Sequence, residues 1–223
     1  MLLCISACGS RQGESEVPET DNTIEEIQEN AVEESTGETT ATEADDEIMG
    51  YLDDNVYHND ALGMTFAAPA DWTFYDKDQI ASVNNMTKEK LEGTDAGKLM
   101  ESNGQIIPML AQNLKNYDNI NLVIQPGNSA IAAYDDETVF NAMKEMYLQQ
   151  MESAGISIGD YQVKKTTFNG KELTYLNMAM ETSGMSGIEY QFFIRINPDY
   201  LGIVTVTSLS GEPFETYLEC FDF

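Results

Sequence analysis

The chain has 223 residues with 39 acids, 11 bases and one histidine, for a formal net charge of -28. A charge of that sign and size repels phosphate backbones and anionic bilayers, so nucleic acid is an excluded partner and a membrane can be reached only through a covalent anchor. No run of 18 apolar residues exists to form a spanning helix, and the three cysteines, Cys4, Cys8 and Cys220, contain no CxxC pair and make no disulfide framework.

The N-terminal stretch Ile5-Ser6-Ala7-Cys8 resembles the bacterial lipobox: an aliphatic residue, two small residues, then cysteine. The resemblance implies a Cys8 thiol acylated with diacylglycerol, the preceding peptide being removed. Met1 to Ala7 lacks the basic n-region and the full apolar core of a signal peptide. Residues 1–8 are therefore expected to be a truncated signal peptide with its lipobox.

Residues 9–50 are rich in Glu, Thr, Ser, Asp and Gly. The imbalance of charge is concentrated here, since residues 11–60 hold 17 acids and one base, Arg11. Low hydrophobicity with charge of one sign opposes a packed core, and the stretch reads as a disordered linker. Ile24, Ile27 and Ala31 have helical spacing, but the face is thin and the glutamates around it repel. A flexible chain of this length keeps its ends about 35–40 Å apart, and self-repulsion extends it. Together these segments predict a domain on the extracytoplasmic face of a bacterial membrane, lipid-anchored at Cys8 and held off the surface by an acidic tether.

From Tyr51 to Phe223 the pattern is that of one globular domain. Strands are expected at Asn55–His58 and Met64–Ala67, joined by a turn at Asn59–Gly63, and at Trp72–Tyr75 beyond Pro69. Residues 76–84 and 86–102 read as helical, the second stretch divided at Gly93-Thr94. Ile106–Gln112 reads as a strand, confined to an edge by Pro108, and Ile120–Gln125 as another. The clearest helix runs from Glu137 to Ser153, with Asp135 or Asp136 at its start and Gly155 at its end. Its stripe is Val139, Phe140, Met143, Met146, Tyr147 and Met151. A meander follows: Tyr161–Phe168, a hairpin turn at Asn169-Gly170, Leu173–Met180, Tyr190–Ile196, a turn at Asn197-Pro198-Asp199, and Leu201–Thr207. A last helix begins near Pro213 and carries Phe214, Tyr217, Leu218 and Phe221 on one face, with Cys220 unpaired within it. The order predicts an α+β fold, a mainly antiparallel sheet flanked by helices.

Leu62-Gly63-Met64-Thr65-Phe66-Ala67-Ala68-Pro69-Ala70-Asp71-Trp72 is similar to the G-x-x-F-x-x-P-x-x-W opening of PsbP-like domains. The physics behind that pattern places Phe66 in the core, ends the strand at Pro69 and packs Trp72 back over the sheet. The resemblance implies a PsbP-like α/β/α sandwich acting in binding or assembly without catalysis. It transfers no functional residue.

The search for chemistry finds little. His58 is the one imidazole a Ser-His-Asp arrangement could use, and no G-x-S-x-G accompanies it. Asp53, Asp54 and Asp60 are oxygen donors without EF-hand spacing. Met178, Met180 and Met185 are thioethers of a kind that favours Cu(I), in a chain where methionine is common and fills cores. No catalytic residue, resident metal or cofactor is assigned. The leading expectation is a non-catalytic binding domain for an envelope protein or a small ligand. The alternative is a small-ligand or metal-binding lipoprotein beside a transporter.

Overall fold

The computed structural model describes residues 48–182, 184–195 and 199–223, all within one compact unit, Ala41–Phe223. Cys8, the lipobox and the tether up to Glu47 lie outside the described residues, as do Ile196, Asn197 and Pro198 of the expected strand end and turn. The fold is α+β, built on two antiparallel sheets with helices packed against them.

The smaller sheet contains β1 (Tyr51–Asp53), β2 (Val56–Asn59), β3 (Met64–Ala67) and β11 (Phe221–Asp222), in the order β1-β2-β3-β11. The larger contains β4 (Trp72–Phe74), β5 (Ile106–Asn113), β6 (Asn119–Pro126), β7 (Ser157–Phe168), β8 (Lys171–Thr182), β9 (Met185–Ile194) and β10 (Tyr200–Ser208). Its order is β4-β5-β6-β10-β9-β8-β7, so the meander β7–β10 is continuous and joins the β4–β6 strands where β10 pairs with β6.

The helices are α1 (Lys77–Val83), α2 (Lys88–Gly93), α3 (Ala96–Asn103), α4 (Ser129–Ala132), α5 (Asp136–Ser153) and α6 (Phe214–Leu218). Short polar side chains start them. Asp76 accepts from Gln79 N while Gln79 Oε1 accepts from Asp76 N, each at 2.9 Å, a reciprocal cap for α1. Thr87, Asp95 and Asp135 cap α2, α3 and α5 in the same way through one hydroxyl or carboxylate oxygen.

The large sheet has two apolar faces. Tyr190, Phe192 and Ile194 of β9 share one with Ile120, Leu122 and Ile124 of β6 and with Phe214, Tyr217 and Phe221 from the C-terminus. The opposite face presents Leu176, Met178, Phe193 and Ile203, all buried, and α5 packs over it on the β7–β8 side. Phe140 of α5 stacks on Phe193 with centroids 4.4 Å apart.

Leu62, in the turn between β2 and β3, is fully buried and reaches the large sheet at Gly202 of β10. A Cβ on residue 202 would stand 2.6 Å from Leu62 Cδ1 and 3.2 Å from Ile194 Cβ. The missing side chain is what lets the small sheet approach. Phe66 and Trp72 behave as their spacing predicts. Phe66 is fully buried, Trp72 N bonds Pro69 O beyond the strand end, and the Trp72 ring meets Phe66 and Tyr217 edge-on at 6.4 and 6.3 Å.

Several boundaries differ from expectation for identifiable reasons. The folded part begins before Tyr51: Ile48 is buried, and its carbonyl accepts from Asn59 Nδ2 at 2.9 Å. Proline does not place β5 at an edge, because β4 is short and pairs only with Ala111–Asn113. The Pro108 end of β5 therefore has a free side, with a register shift between Ile106 and Met109. There the Asn84 side chain stands in for a strand, donating to Ile107 O and accepting from Ile107 N, each at 2.8 Å. The last helix stops at Leu218. Phe221 belongs to β11, paired with Phe66, and Cys220 lies in the turn between them, its carbonyl accepting from Ala67 N at 2.8 Å. The strands β8 and β9 are longer than their apolar runs and meet at a turn near Gly184.

Gly202→Ala is expected to cost about 1–3 kcal/mol through overpacking. Leu62→Ala vacates the same volume, so the double variant should lose less than the sum of the singles. Urea unfolding of the three variants measures the coupling, and strict additivity would contradict the contact.

Candidate functional site

The residues singled out in the sequence do not converge. His58 is half-buried on β2 and stacks on Tyr51 with centroids 4.9 Å apart. Asp54 occupies the β1–β2 turn at φ 51, and Asp60 closes the next turn by accepting from Gly63 N. Met178 is fully buried, whereas Met185 is exposed and pairs in register with Thr182. Four residues along a strand separate them by about 13 Å. Among the described residues, no three His, Cys, Asp or Glu gather to hold a metal ion, and no helix is long and apolar enough to cross a membrane.

Two buried carboxyl groups carry the polar structure of the domain, and sequence reading missed both. Glu189 on β9 alternates with Tyr190, a pattern that suggests a solvent-facing side chain. Instead it lies beneath α5 and accepts a short hydrogen bond from the Tyr147 hydroxyl. Burial pushes the Glu189 carboxyl up to about 7, against the opposing pull of the Tyr147 bond. The Tyr147 hydroxyl is raised well above its ordinary value, by burial first and by Glu189 second. On the neighbouring register, Gln191 Nε2 donates to Thr205 Oγ1 at 3.1 Å. Further along this face Arg195 Nε stands 2.6 Å from Asp136 Oδ1, off the line of its N–H, while Nη1 donates to Ile131 O at 3.0 Å. Burial raises the Asp136 carboxyl, and Arg195 holds it back.

The other buried acid is Asp118, at the start of β6. Its Oδ1 accepts from Leu209 N at 2.7 Å and Ser210 N at 2.9 Å. Its Oδ2 accepts from Ser210 Oγ at 2.6 Å and the Tyr217 hydroxyl at 2.7 Å. Four donors fill the carboxylate, so it serves as a tie and not as a base. Tyr217 is pushed up to about 12, chiefly by burial.

The tie joins two loops at one end of the large sheet: residues 113–118 between β5 and β6, and residues 208–212 after β10. The first loop is internally braced. Asn113 Oδ1 accepts from Lys115 N and Asn116 N, Asn116 Oδ1 from Asp118 N, and Asn113 O from Tyr117 N. Asp71 adds an outer clamp, its carbonyl accepting from Leu114 N at 3.0 Å and its carboxylate meeting Lys115 Nζ at 2.8 Å. The braced loops present Leu114, Tyr117 and Leu209 to solvent, at 64, 61 and 38 % exposure. Tyr117 has φ 64, a left-handed conformation that costs a bulky residue roughly 1–2 kcal/mol relative to glycine.

Both buried acids are enclosed by partners inside the chain. The loop tips expose apolar side chains to solvent.

No family model matches the chain, and no curated protein matches it in sequence. Among solved structures, the chain is similar to the solution structure of cyanobacterial PsbP (CyanoP) from Synechocystis sp. PCC 6803. The TM-score is 0.45 at 11 % identity, covering 75 % of this chain and 90 % of that one.

The raised Glu189 carboxyl sets a pH dependence. Between pH 4.5 and about 7 the folded state keeps a proton that the unfolded chain has released. Stability attributable to this group is therefore full below pH 4.5, falls as pH rises through 7, and then levels. The loss is on the order of 3 kcal/mol. Glu189→Gln should flatten this part of the profile and be the more stable protein at pH 8. Urea unfolding of both proteins at pH 5 and pH 8 tests it, and identical differences at the two values would contradict it.

Proposed function

We propose that this protein is a lipoprotein on the extracytoplasmic face of a bacterial membrane, anchored through Cys8, whose folded domain works by binding another component of the envelope. The observation that carries the address is Ile5-Ser6-Ala7-Cys8 followed at once by the acidic stretch 9–47. A single thioether-linked diacylglycerol supplies two chains, which suits stable anchoring. The charge of the stretch opposes its adsorption to an anionic bilayer.

A binding role is supported by the distribution of polar groups. Glu189 is committed to Tyr147, and Asp118 to four internal donors. Apolar side chains are instead held outward on braced loops, an arrangement suited to contact. An envelope protein is favoured over a small ligand because the exposed apolar side chains stand on convex loop tips, where a flat or grooved partner fits better than a small molecule.

The N-terminal peptide of the native protein, taken from a membrane fraction of its host, should begin at Cys8 and carry acyl chains. Cys8→Ser should abolish the modification and release the protein from that fraction. An unmodified peptide containing Met1, recovered from cytosol, would overturn the address.

A further inference from the structure

The loop 113–118 puts a tyrosine where the backbone favours glycine. Tyr117 adopts φ 64 and is 61 % exposed. Among the described residues its ring has no ring neighbour, while its amide is needed only to close the loop onto Asn113 O. That one main-chain bond is the contact through which the loop holds the conformation. A residue kept at such a position is a pointer to a role outside the fold.

The backbone around this ring is braced. Leu114, three residues earlier, is pinned through its own amide to Asp71 O. Leu209 is fixed from the second loop by its amide bond to Asp118, and its Cδ2 lies against Gly187 of β9, 2.9 Å from where a Cβ would stand. Three apolar residues thus have their backbones fixed on one rim of the sheet before any partner arrives. Fixing the backbone in advance removes part of the ordering cost of association, and an exposed tyrosine is among the residue types that dominate interface energies.

Charge selects the occupant. Residues 48–223 carry 25 acids and 10 bases. The single base of the loop, Lys115, is paired with Asp71, and the neighbouring loop adds the exposed Glu212. A bilayer with anionic headgroups repels such a rim, and a second copy of this chain repels it equally. We propose that Leu114, Tyr117 and Leu209 form a docking surface for a protein whose apolar slot is edged by lysine or arginine. This deepens the binding role proposed above and rests on it. Complementary charge steers the encounter, and the three apolar tips hold the complex.

The test places a photo-crosslinking amino acid at residue 114, residue 209 or, as a control, residue 134. Tyr134 is equally exposed but lies beyond α4, toward the opposite end of the sheet. Irradiation of intact host cells should give one discrete protein adduct from residues 114 and 209 and none from residue 134. The adduct protein is then purified and titrated against the full chain. Tyr117→Gly should weaken binding about tenfold or more. It should leave the melting temperature equal or higher, because glycine relieves the backbone. Raising the ionic strength should weaken binding of the wild-type chain.

Equal adducts from residue 134, no protein adduct, or unchanged affinity in Tyr117→Gly would each overturn the surface. So would sedimentation of the full chain with phosphatidylcholine–phosphatidylglycerol vesicles that is lost in Tyr117→Gly, since the tips would then belong to a membrane. The N-terminal peptide from the same cells separates the two claims. An anchored protein without the adduct sinks the surface alone, and the adduct from an unacylated protein sinks the address alone.

Discussion

The arrangement of the C-terminal third hangs on one buried carboxylate. Asp118 lies at the mouth of the β5–β6 hairpin and receives four donors from the segment between Leu209 and Tyr217. A carboxyl group buried without partners would be costly, and four hydrogen bonds make this one a fastening. It orients α6, and Tyr217 in turn contacts Trp72, while Phe214 stacks on Tyr175 at 4.2 Å. From the end of α6 the chain returns as β11 to complete the small sheet. Loss of the carboxylate would loosen both loops, the aromatic cluster and the second sheet together.

The local parts of this architecture were legible in the sequence. Asn169-Gly170 turns β7 into β8 with both residues at positive φ, as a two-residue hairpin loop requires. Asp135, Gly155 and the stripe mark α5 to within a residue or so; Val139, Phe140, Tyr147 and Met151 of the stripe are buried, whereas Met146 is exposed. What escaped depends on partners distant in sequence. Nothing in the CysPheAspPhe ending announces a strand, because β11 exists only through β3. Proline at 108 looks like an edge marker until Asn84 is seen supplying the missing pairing. The alternation around Glu189 and Gln191 signals a wet face, and only the placement of α5 makes it a buried one. The loop tips were illegible for another reason, since a left-handed Tyr117 has no compositional signature.

The two buried acids illustrate opposite solutions to one problem. Asp118 is saturated by four neutral donors, giving a braced joint at the end of the sheet. Glu189 has a single strong partner and a carboxyl raised to about 7, so its state depends on the medium. The first fixes the loops that face outward. The second links α5 to the sheet on the side of the domain away from the aromatic cluster, and its burial makes the fold more stable in acid than in base.

The pairing of Phe221 with Phe66 has a kinetic side. The small sheet joins a strand from the start of the domain to the last residues of the chain, and Asp118 likewise waits for Tyr217. Contacts of this span close late, because the loop between them must be ordered first. A chain emerging N-terminus first from a ribosome holds neither contact until Tyr217 and Phe221 are free. The domain is thereby kept from completing its second sheet and its Asp118 tie early, and both form only after those two residues have emerged.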